Sequence, residues 1–432
     1  MTDNKTEQNI QKRGRVIIIT PPRYMLESLY LASVSENAVY ETFVKHSENY
    51  NELFNFILDS YPNYLAVKIT FEKFKSQMET LSRLKQKLPL TKIIVFGEPF
   101  LTYNNNVTYE NPFIDYVIMG EAEQTFKEIL DGYQESEILG ICYTDENMQS
   151  VKNEQRPYIE NLDKLPYPAR QFLTDNKLVE LEVSRGCPYH CIFCLSTAKN
   201  GVAHRFRTPE SIIKEMKLCI ENYKTKRFYF KADIFNFDNN WIEKLCNLII
   251  ENKLNIKWSC DLVPKNITEE LVKLMCKSGL RYCKIGAESG SKEILKNLNK
   301  DITVESIKET VMCLKKYKVK TCVYYVLGLP WETEETAKET IKFSQELDSD
   351  EAVFNSAIPY PATKLFVYSM LNKLFIPSNE FCGQSRLPLC KTHKLSKNRV
   401  FELCNSASKH FNKRPKKLLK EFVNFCNKLF IN

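Results

Sequence analysis

Twice along the chain, short β-branched runs alternate with helix-length stretches, and this alternation restricts the fold to a parallel α/β architecture. Parallel strands cannot be joined by a tight turn, so each pair needs a crossover, usually a helix. In the first half the runs are Val16-Ile17-Ile18-Ile19-Thr20, stopped by Pro21-Pro22, then 64–71, 92–97 and 115–120. Helix-like stretches over 51–58 and 73–87 lie between them. The pattern predicts a doubly wound sheet over roughly 15–135, with ligands at the carboxyl ends of its strands, where Pro21, Phe96-Gly97-Glu98 and Gly120 fall. The alternation returns with strands expected over 178–183, 227–231, 256–259, 282–285, 321–326 and 352–357. Helices are expected over 209–223, 240–251, 268–278, 291–297, 304–317 and 334–346. Six such units predict a partial, TIM-like (β/α)6 barrel whose chemistry gathers at the carboxyl ends of its strands.

The loop leaving the first barrel strand reads Ser184-Arg185-Gly186-Cys187-Pro188-Tyr189-His190-Cys191-Ile192-Phe193-Cys194, three cysteines at C-x3-C-x2-C spacing. Gly186 and Pro188 bracket the first cysteine, so the backbone can leave the strand and curl. An iron–sulfur cube is normally held by four thiolates, so three close ones suggest a [4Fe-4S] cube with one iron left open. Zinc is the competing metal, but closed structural zinc sites want four ligands, and His190 sits between two cysteines with poor geometry for the same ion.

The chain has 432 residues, 43% hydrophobic and 26% charged, the profile of an ordinary globular protein. No apolar run approaches the length of a membrane span, and the first 15 residues are polar without a signal-like core, so a cytoplasmic location is expected. Fifteen cysteines in such a chain read as reduced thiols plus one metal cluster. Cys382, Cys390, Cys404 and Cys426 contain no close pair, and a second cluster is not expected there. The net charge of +8 is concentrated in residues 391–432, with eleven Lys or Arg against two Glu. A solvated face is the expected meaning, and nucleic acid is not expected as a partner.

The cysteine loop resembles the cluster-binding loop of the radical S-adenosylmethionine (SAM) superfamily. The resemblance implies that Cys187, Cys191 and Cys194 ligate a [4Fe-4S] cluster, that SAM chelates its open iron, and that Phe193 lies near the adenine. It also implies SAM contacts from Asp233 after the second strand and Ser259 after the third. Gly286, Glu288 and Ser289 in the Gly-Ala-Glu-Ser-Gly segment, and Gly328 in Gly-Leu-Pro-Trp-Glu-Thr, complete the set. Where relatives carry an Arg after the third strand, this chain has Leu262-Val263-Pro264-Lys265, and Trp331 replaces their usual second Gly.

The first half resembles the cobalamin (B12)-binding domain of many such enzymes, through Pro21-Pro22, Ser28 to Ser33 and Gly120-Glu121-Ala122-Glu123-Gln124-Thr125-Phe126. It lacks the D-x-H-x-x-G loop and has Gly97-Glu98 in place of Gly-Gly. Bound cobalamin and a retained scaffold without it therefore both stay open. The expected organisation is a disordered 1–14, a degenerate cobalamin-binding-like domain over 15–150, and a linker over 151–177 containing Leu-Pro-Tyr-Pro-Ala-Arg. A radical SAM barrel follows over 178–363, then a basic helical cap over 364–432.

The implied activity is reductive cleavage of SAM to a 5′-deoxyadenosyl radical acting on an unidentified substrate, fed by a flavodoxin- or ferredoxin-like one-electron donor. With cobalamin the outcome would be methylation; without it, rearrangement or epimerisation. A non-enzymatic iron–sulfur carrier is the reading from another class, but it leaves Asp233, 286–290 and 328–330 without a role. A methylthiotransferase would need a second three-cysteine set, and no cysteine precedes Cys142.

Overall fold

The structure is a computed structural model that describes residues 11–102, 106–173, 175, 177–376 and 388–413. The chain divides into two compact units, Met1–Thr174 and Asp175–Asn432.

The first unit carries β1 (Arg15–Thr20), β2 (Glu41–His46), β3 (Tyr64–Lys68), β4 (Lys92–Phe96), β5 (Tyr116–Ile118), β6 (Ile141–Thr144) and β7 (Ser150–Lys152). Their spatial order is β2-β1-β3-β4-β5-β6-β7, parallel through β5 and antiparallel thereafter. Among the described residues five α-helices accompany them: α1 (Met25–Asn37), α2 (Phe54–Ser60), α3 (Phe74–Lys87), α4 (Val107–Glu110) and α5 (Glu123–Asp131). Successive side chains of a strand face opposite ways, and here both faces are apolar. Ile17, Ile19, Leu65, Val67, Ile93 and Val95 pack with Ile57, Leu81 and Leu84, whereas Val16, Ile18, Ala66 and Ile94 pack with Leu31, Phe126 and Ile129. Burying such side chains contributes roughly 1.5–3 kcal/mol each.

The strand β2 is absent from the sequence reading. As an edge strand it alternates half-buried with buried residues, and Glu41, Thr42, Lys45 and His46 dilute its apolar content. The Leu-Pro-Tyr-Pro-Ala-Arg segment does not run free. The Ala169 amide donates to the Leu29 carbonyl at 3.0 Å, and the Ser33 hydroxyl donates to the Tyr167 carbonyl at 2.5 Å.

Strand order reverses between β1 and β3, which opens a crevice at their carboxyl ends. Lys68 closes β3 at that crevice with no accessible surface, its ammonium 2.7 Å from Glu27 and 3.1 Å from Glu98. Removing one partner from a buried ion network costs about 3–5 kcal/mol, because the remaining charges stay desolvated. Lys68→Met is therefore expected to destabilise this unit by that order in urea titrations followed by circular dichroism. The triple variant Lys68→Met/Glu27→Gln/Glu98→Gln is expected to regain most of the loss.

The second unit begins with β8 (Val179–Glu182), β9 (Ser184–Arg185), α6 (Ser196–Asn200), β10 (Arg205–Phe206), α7 (Pro209–Tyr223), β11 (Arg227–Lys231) and α8 (Asn239–Glu251). It continues through β12 (Lys257–Leu262), α9 (Glu269–Ser278), β13 (Leu280–Glu288), α10 (Lys292–Asn297), α11 (Val304–Lys316), β14 (Lys320–Leu327), α12 (Glu334–Glu346) and β15 (Glu351–Ser356). Helices α13 (Lys364–Leu371) and α14 (Lys397–Asn412) follow. Six strands form one parallel sheet in the order β15-β14-β13-β12-β11-β8. Phe228, Phe230, Trp258, Cys283, Ile285 and Val323 share a single core with Ile212, Leu245, Met275, Ile307 and Phe343 of the helices. All these helices thus cover one face, as an open barrel requires.

Residues beyond the sixth strand were expected to cap the barrel's open side. The described part does something else. Val400, Leu403 and Ala407 of α14 pack with Leu327 of β14 and Ala337 of α12, on the outer, helix-covered face. Val400, Leu403, Ala407 and Phe411 are all buried and recur at helical spacing, and such a stripe seeks the nearest apolar surface. Residues 414–432 of the basic tail, Cys426 among them, and Cys382 lie outside the described residues.

Candidate functional site

The cysteine loop leaves β9 and is tied at both ends. β9 pairs antiparallel with β10, the Cys187 amide donates to the Gly201 carbonyl at 3.1 Å, and the Ile192 amide donates to the Leu298 carbonyl at 3.3 Å. The Leu365 amide donates to the Ile192 carbonyl at 2.8 Å. Gly186 turns the chain with φ +86°, and a Cβ there would stand 2.1 Å from the Ala203 carbonyl oxygen. Only glycine fits that turn.

The three thiols lie within electrostatic reach of one another, and those of Cys187 and Cys191 within reach of the Lys300 ammonium. Burial pushes the Cys187 thiol up to about 11 and Cys191 up to about 12, while Lys300 pulls both back down. Among the described residues no His, Cys, Asp or Glu group stands closed around a single metal ion. A cube takes one thiolate per iron, so its ligands stand farther apart than those of one ion. Three thiols on one short loop suit that larger guest, since iron would replace their protons and Lys300 would offset the thiolate charge. His190, the alternative zinc ligand, is exposed.

The other sequence-selected residues divide by environment. The Asp233 carboxylate accepts the Gly186 amide at 2.8 Å and the Asn200 side-chain amide at 2.7 Å, so it braces the cysteine loop directly. Glu288 holds a left-handed backbone at φ +62° and pairs with Lys300 at 2.5 Å. The Lys300 ammonium also donates to the Gly286 carbonyl at 2.7 Å, and a Cβ on Gly286 would crowd both charged groups. Phe193 is half-buried against the barrel core. Ser259 is half-buried, its hydroxyl 3.4 Å from the Phe228 carbonyl. Ser289 is fully buried and bonds Thr340 of α12 at 2.9 Å, which places its hydroxyl in helix packing. Trp331 packs on Tyr368 of α13 with ring centroids 5.1 Å apart.

Two neighbours of the site received no role from residue-by-residue reading. Lys300 follows Glu288 by twelve positions, a spacing with no local meaning; only the return of the chain through α10 brings it back. Glu332 folds under its own loop, its carboxylate accepting the Gly328 amide at 2.5 Å, and it has no accessible surface. Burial pushes its carboxyl up to about 8, although the amides of Gly328 and Leu329 oppose this. Gly328 itself is left-handed at φ +83° against Val400.

The carboxyl edge of the first unit's sheet bears on the corrin question. A Cβ on Gly120 would meet nothing within 4 Å, which leaves open space at the end of β5. Lys68 is committed to Glu27 and Glu98, and His46 ends the edge strand β2, in register with Thr20 where the loop after β1 begins. The loop after β1 itself carries no His, and the nearest imidazole in register is His46 on the neighbouring strand.

Two outcomes are expected. Lys300→Met leaves Glu288 charged and buried, and should cost about 3–5 kcal/mol in anaerobic denaturation. For Glu332 the folded state keeps a proton that the unfolded chain releases above its ordinary value of 4.5. Its contribution is full below about 4.5 and is lost as pH rises to about 8. The stability difference between wild type and Glu332→Gln should change across that window by up to about 1.4 kcal/mol per pH unit, read from urea midpoints.

Comparison with known proteins gives the same picture. Residues 181–344 match the family described as the Radical SAM superfamily. An uncharacterized methyltransferase of Pyrococcus horikoshii is 31% identical over 355 residues, 79% of this chain and 77% of its own length. An anaerobic magnesium-protoporphyrin IX monomethyl ester cyclase of Rubrivivax gelatinosus is 26% identical over 60% of this chain, which spans 50% of that relative. Among solved structures, the radical SAM methyltransferase TsrM of Kitasatospora setae superposes with a TM-score of 0.69 at 16% identity. That structure, with tryptophan substrate and a SAM analogue bound, is matched over 83% of this chain and 76% of its own. The same enzyme with cobalamin and a [4Fe-4S] cluster bound gives 0.67, also at 16% identity, over 84% and 75%.

Proposed function

The chain belongs to the radical SAM superfamily, and from that premise we propose that Cys187, Cys191 and Cys194 hold a [4Fe-4S] cluster whose fourth iron is left to SAM. The C-x3-C-x2-C spacing on one loop, tied by main-chain bonds to Gly201, Leu298 and Leu365, carries the assignment. When bound, the cluster and SAM supply the radical chemistry, one-electron reduction yielding methionine and a 5′-deoxyadenosyl radical that takes a substrate hydrogen. The chain's own residues bind, orient and exclude water.

In this reading Gly186 and Asp233 hold the cysteine loop in shape. Lys300 offsets the negative charge that three thiolates bring to a half-buried site, and Glu288 keeps Lys300 in place. Phe193, Gly286 and Gly328 line the SAM side, Ser259 lies deeper, in register with Tyr229 and Tyr282, and Ser289 acts as a positioning residue through Thr340.

The first unit is proposed to accept a corrin on the carboxyl edge of its sheet. A bound corrin would supply a methyl group, which makes methylation of an unactivated carbon or phosphorus centre the favoured outcome. The relatives, a tetrapyrrole cyclase among them, do not choose a substrate for this chain. A flavodoxin- or ferredoxin-like donor is the proposed electron source and the cytoplasm the proposed location. Among the described residues no helix is long and apolar enough to cross a membrane. The proposed domain limits are 15–150, 151–177, 178–363 and 364–432.

The test is anaerobic. Cluster-reconstituted protein is reduced in the presence of SAM and the nucleosides are separated by chromatography. Wild type should release 5′-deoxyadenosine and Cys191→Ala none, with S-adenosylhomocysteine appearing once methylcobalamin is added. A fully iron-loaded wild type that releases neither nucleoside, with or without the corrinoid, would sink the proposal.

A further inference from the structure

The inner face of the barrel is polar where barrels of this kind ordinarily stack branched aliphatic layers. Residues alternating with the buried outer set point inward: Tyr229, Asp261, Tyr282, Lys284 and Tyr324 are all half-buried, while Phe228, Cys260, Cys283, Ile285 and Val323 have no accessible surface. Side chains that keep accessible surface in the middle of a sheet face an open lumen.

Within that lumen one charge pair stands apart. The Asp261 carboxylate and the Lys284 ammonium are 3.7 Å apart, too far for a hydrogen bond. Their side chains keep 48% and 34% of their surface. The pairs nearer the cysteine loop are closed and largely buried: Lys300–Glu288 at 2.5 Å and Arg185–Glu182 at 2.7 Å. A pair without a hydrogen bond contributes little to folding, and its Asp261 Oδ1 is buried with no hydrogen-bond partner, an unsatisfied acceptor at the centre of the sheet.

Register gives the level of this pair. Asp261 lies beside Lys284, and Lys284 lies two residues before Gly286 on β13, about 6.6 Å along the strand. The pair is thus one side-chain layer below the group formed by Gly286, Glu288 and Lys300. Lys284 also lies over the Tyr229 ring at 4.4 Å, Tyr282 donates to Glu351 at 3.1 Å, and Tyr324 stands beside Gly286 in register. A large apolar ring system here would strip water from these groups without replacing their hydrogen bonds, a costly exchange. A molecule bringing its own ammonium and carboxylate would exchange one loose ion pair for two complementary ones.

We propose that the barrel lumen at the level of Asp261 and Lys284 seats the substrate, and that this substrate is a free amino acid or close derivative. Its ammonium meets Asp261 and its carboxylate meets Lys284, and the three tyrosines frame the side chain. The inference rests on the radical SAM reading of the same site and narrows it to a substrate class.

The experiment is equilibrium dialysis of the cluster-loaded full chain with SAM present and no reductant. The probes are the twenty free L-amino acids, their N-acetyl forms and protoporphyrin IX. At least one free amino acid should be retained by wild type. Its retention should fall at least tenfold in Asp261→Asn and in Lys284→Gln, and its N-acetyl form should not be retained. The double variant Asp261→Asn/Lys284→Gln leaves no unpaired charge and guards against misfolding of the single variants, with iron content and melting midpoint recorded for all. Retention of protoporphyrin IX alone, of no probe, or of an amino acid equally by wild type and the double variant overturns the proposal. Release of 5′-deoxyadenosine by the reduced wild type is scored separately, so the substrate class can fail while the radical SAM reading stands.

Discussion

The period-two alternation of the barrel strands is the constraint on which the second unit depends. One set of residues, from Phe228 to Tyr325, is apolar and closes against the helices as a single core. The other set is freed from any packing duty and can carry Tyr, Asp and Lys into the lumen. Because a parallel strand shows opposite faces at successive positions, stability and chemistry are written on the same strands without competing. The helix-side core supplies the rigidity on which loops at the carboxyl ends are held.

Those loops are held more tightly than their irregular backbone suggests. The cysteine loop is fixed by main-chain bonds to Gly201, Leu298 and Leu365 and by the Asp233 carboxylate on Gly186. Glu288 accepts a left-handed backbone, a cost recovered through its closed pair with Lys300. The Gly328 loop is shaped from within by the buried Glu332 and from outside by Val400. Each case uses a charged or glycine residue to hold backbone that no regular hydrogen-bond ladder supports.

Much of this was legible in the residues, for physical reasons that differ by element. Val16 to Ile19 announces a central strand because a strand covered on both faces must be apolar throughout. The strand β2 stayed hidden because an edge strand buries only alternate residues and tolerates Glu41 and Lys45. The cysteine spacing named its guest because the ligands are close in sequence. The role of Lys300 did not announce itself, since its partner is brought to it by the fold alone. The basic C-terminal segment read as a lid from its position, but the apolar stripe of α14 found the outer face of β14 instead.

The sequence by itself determined the two α/β units, the cysteine set and the radical SAM membership. The units and the cysteine spacing follow from local properties of the chain, and the membership follows from the resemblance of its motifs to a known family. Only the tertiary structure decided that Lys300 faces the thiols, that Ser289 serves α12, and that Asp261 and Lys284 share one open layer of the lumen. Such pairings join residues tens of positions apart, and strand register, which no local pattern encodes, sets which of them meet.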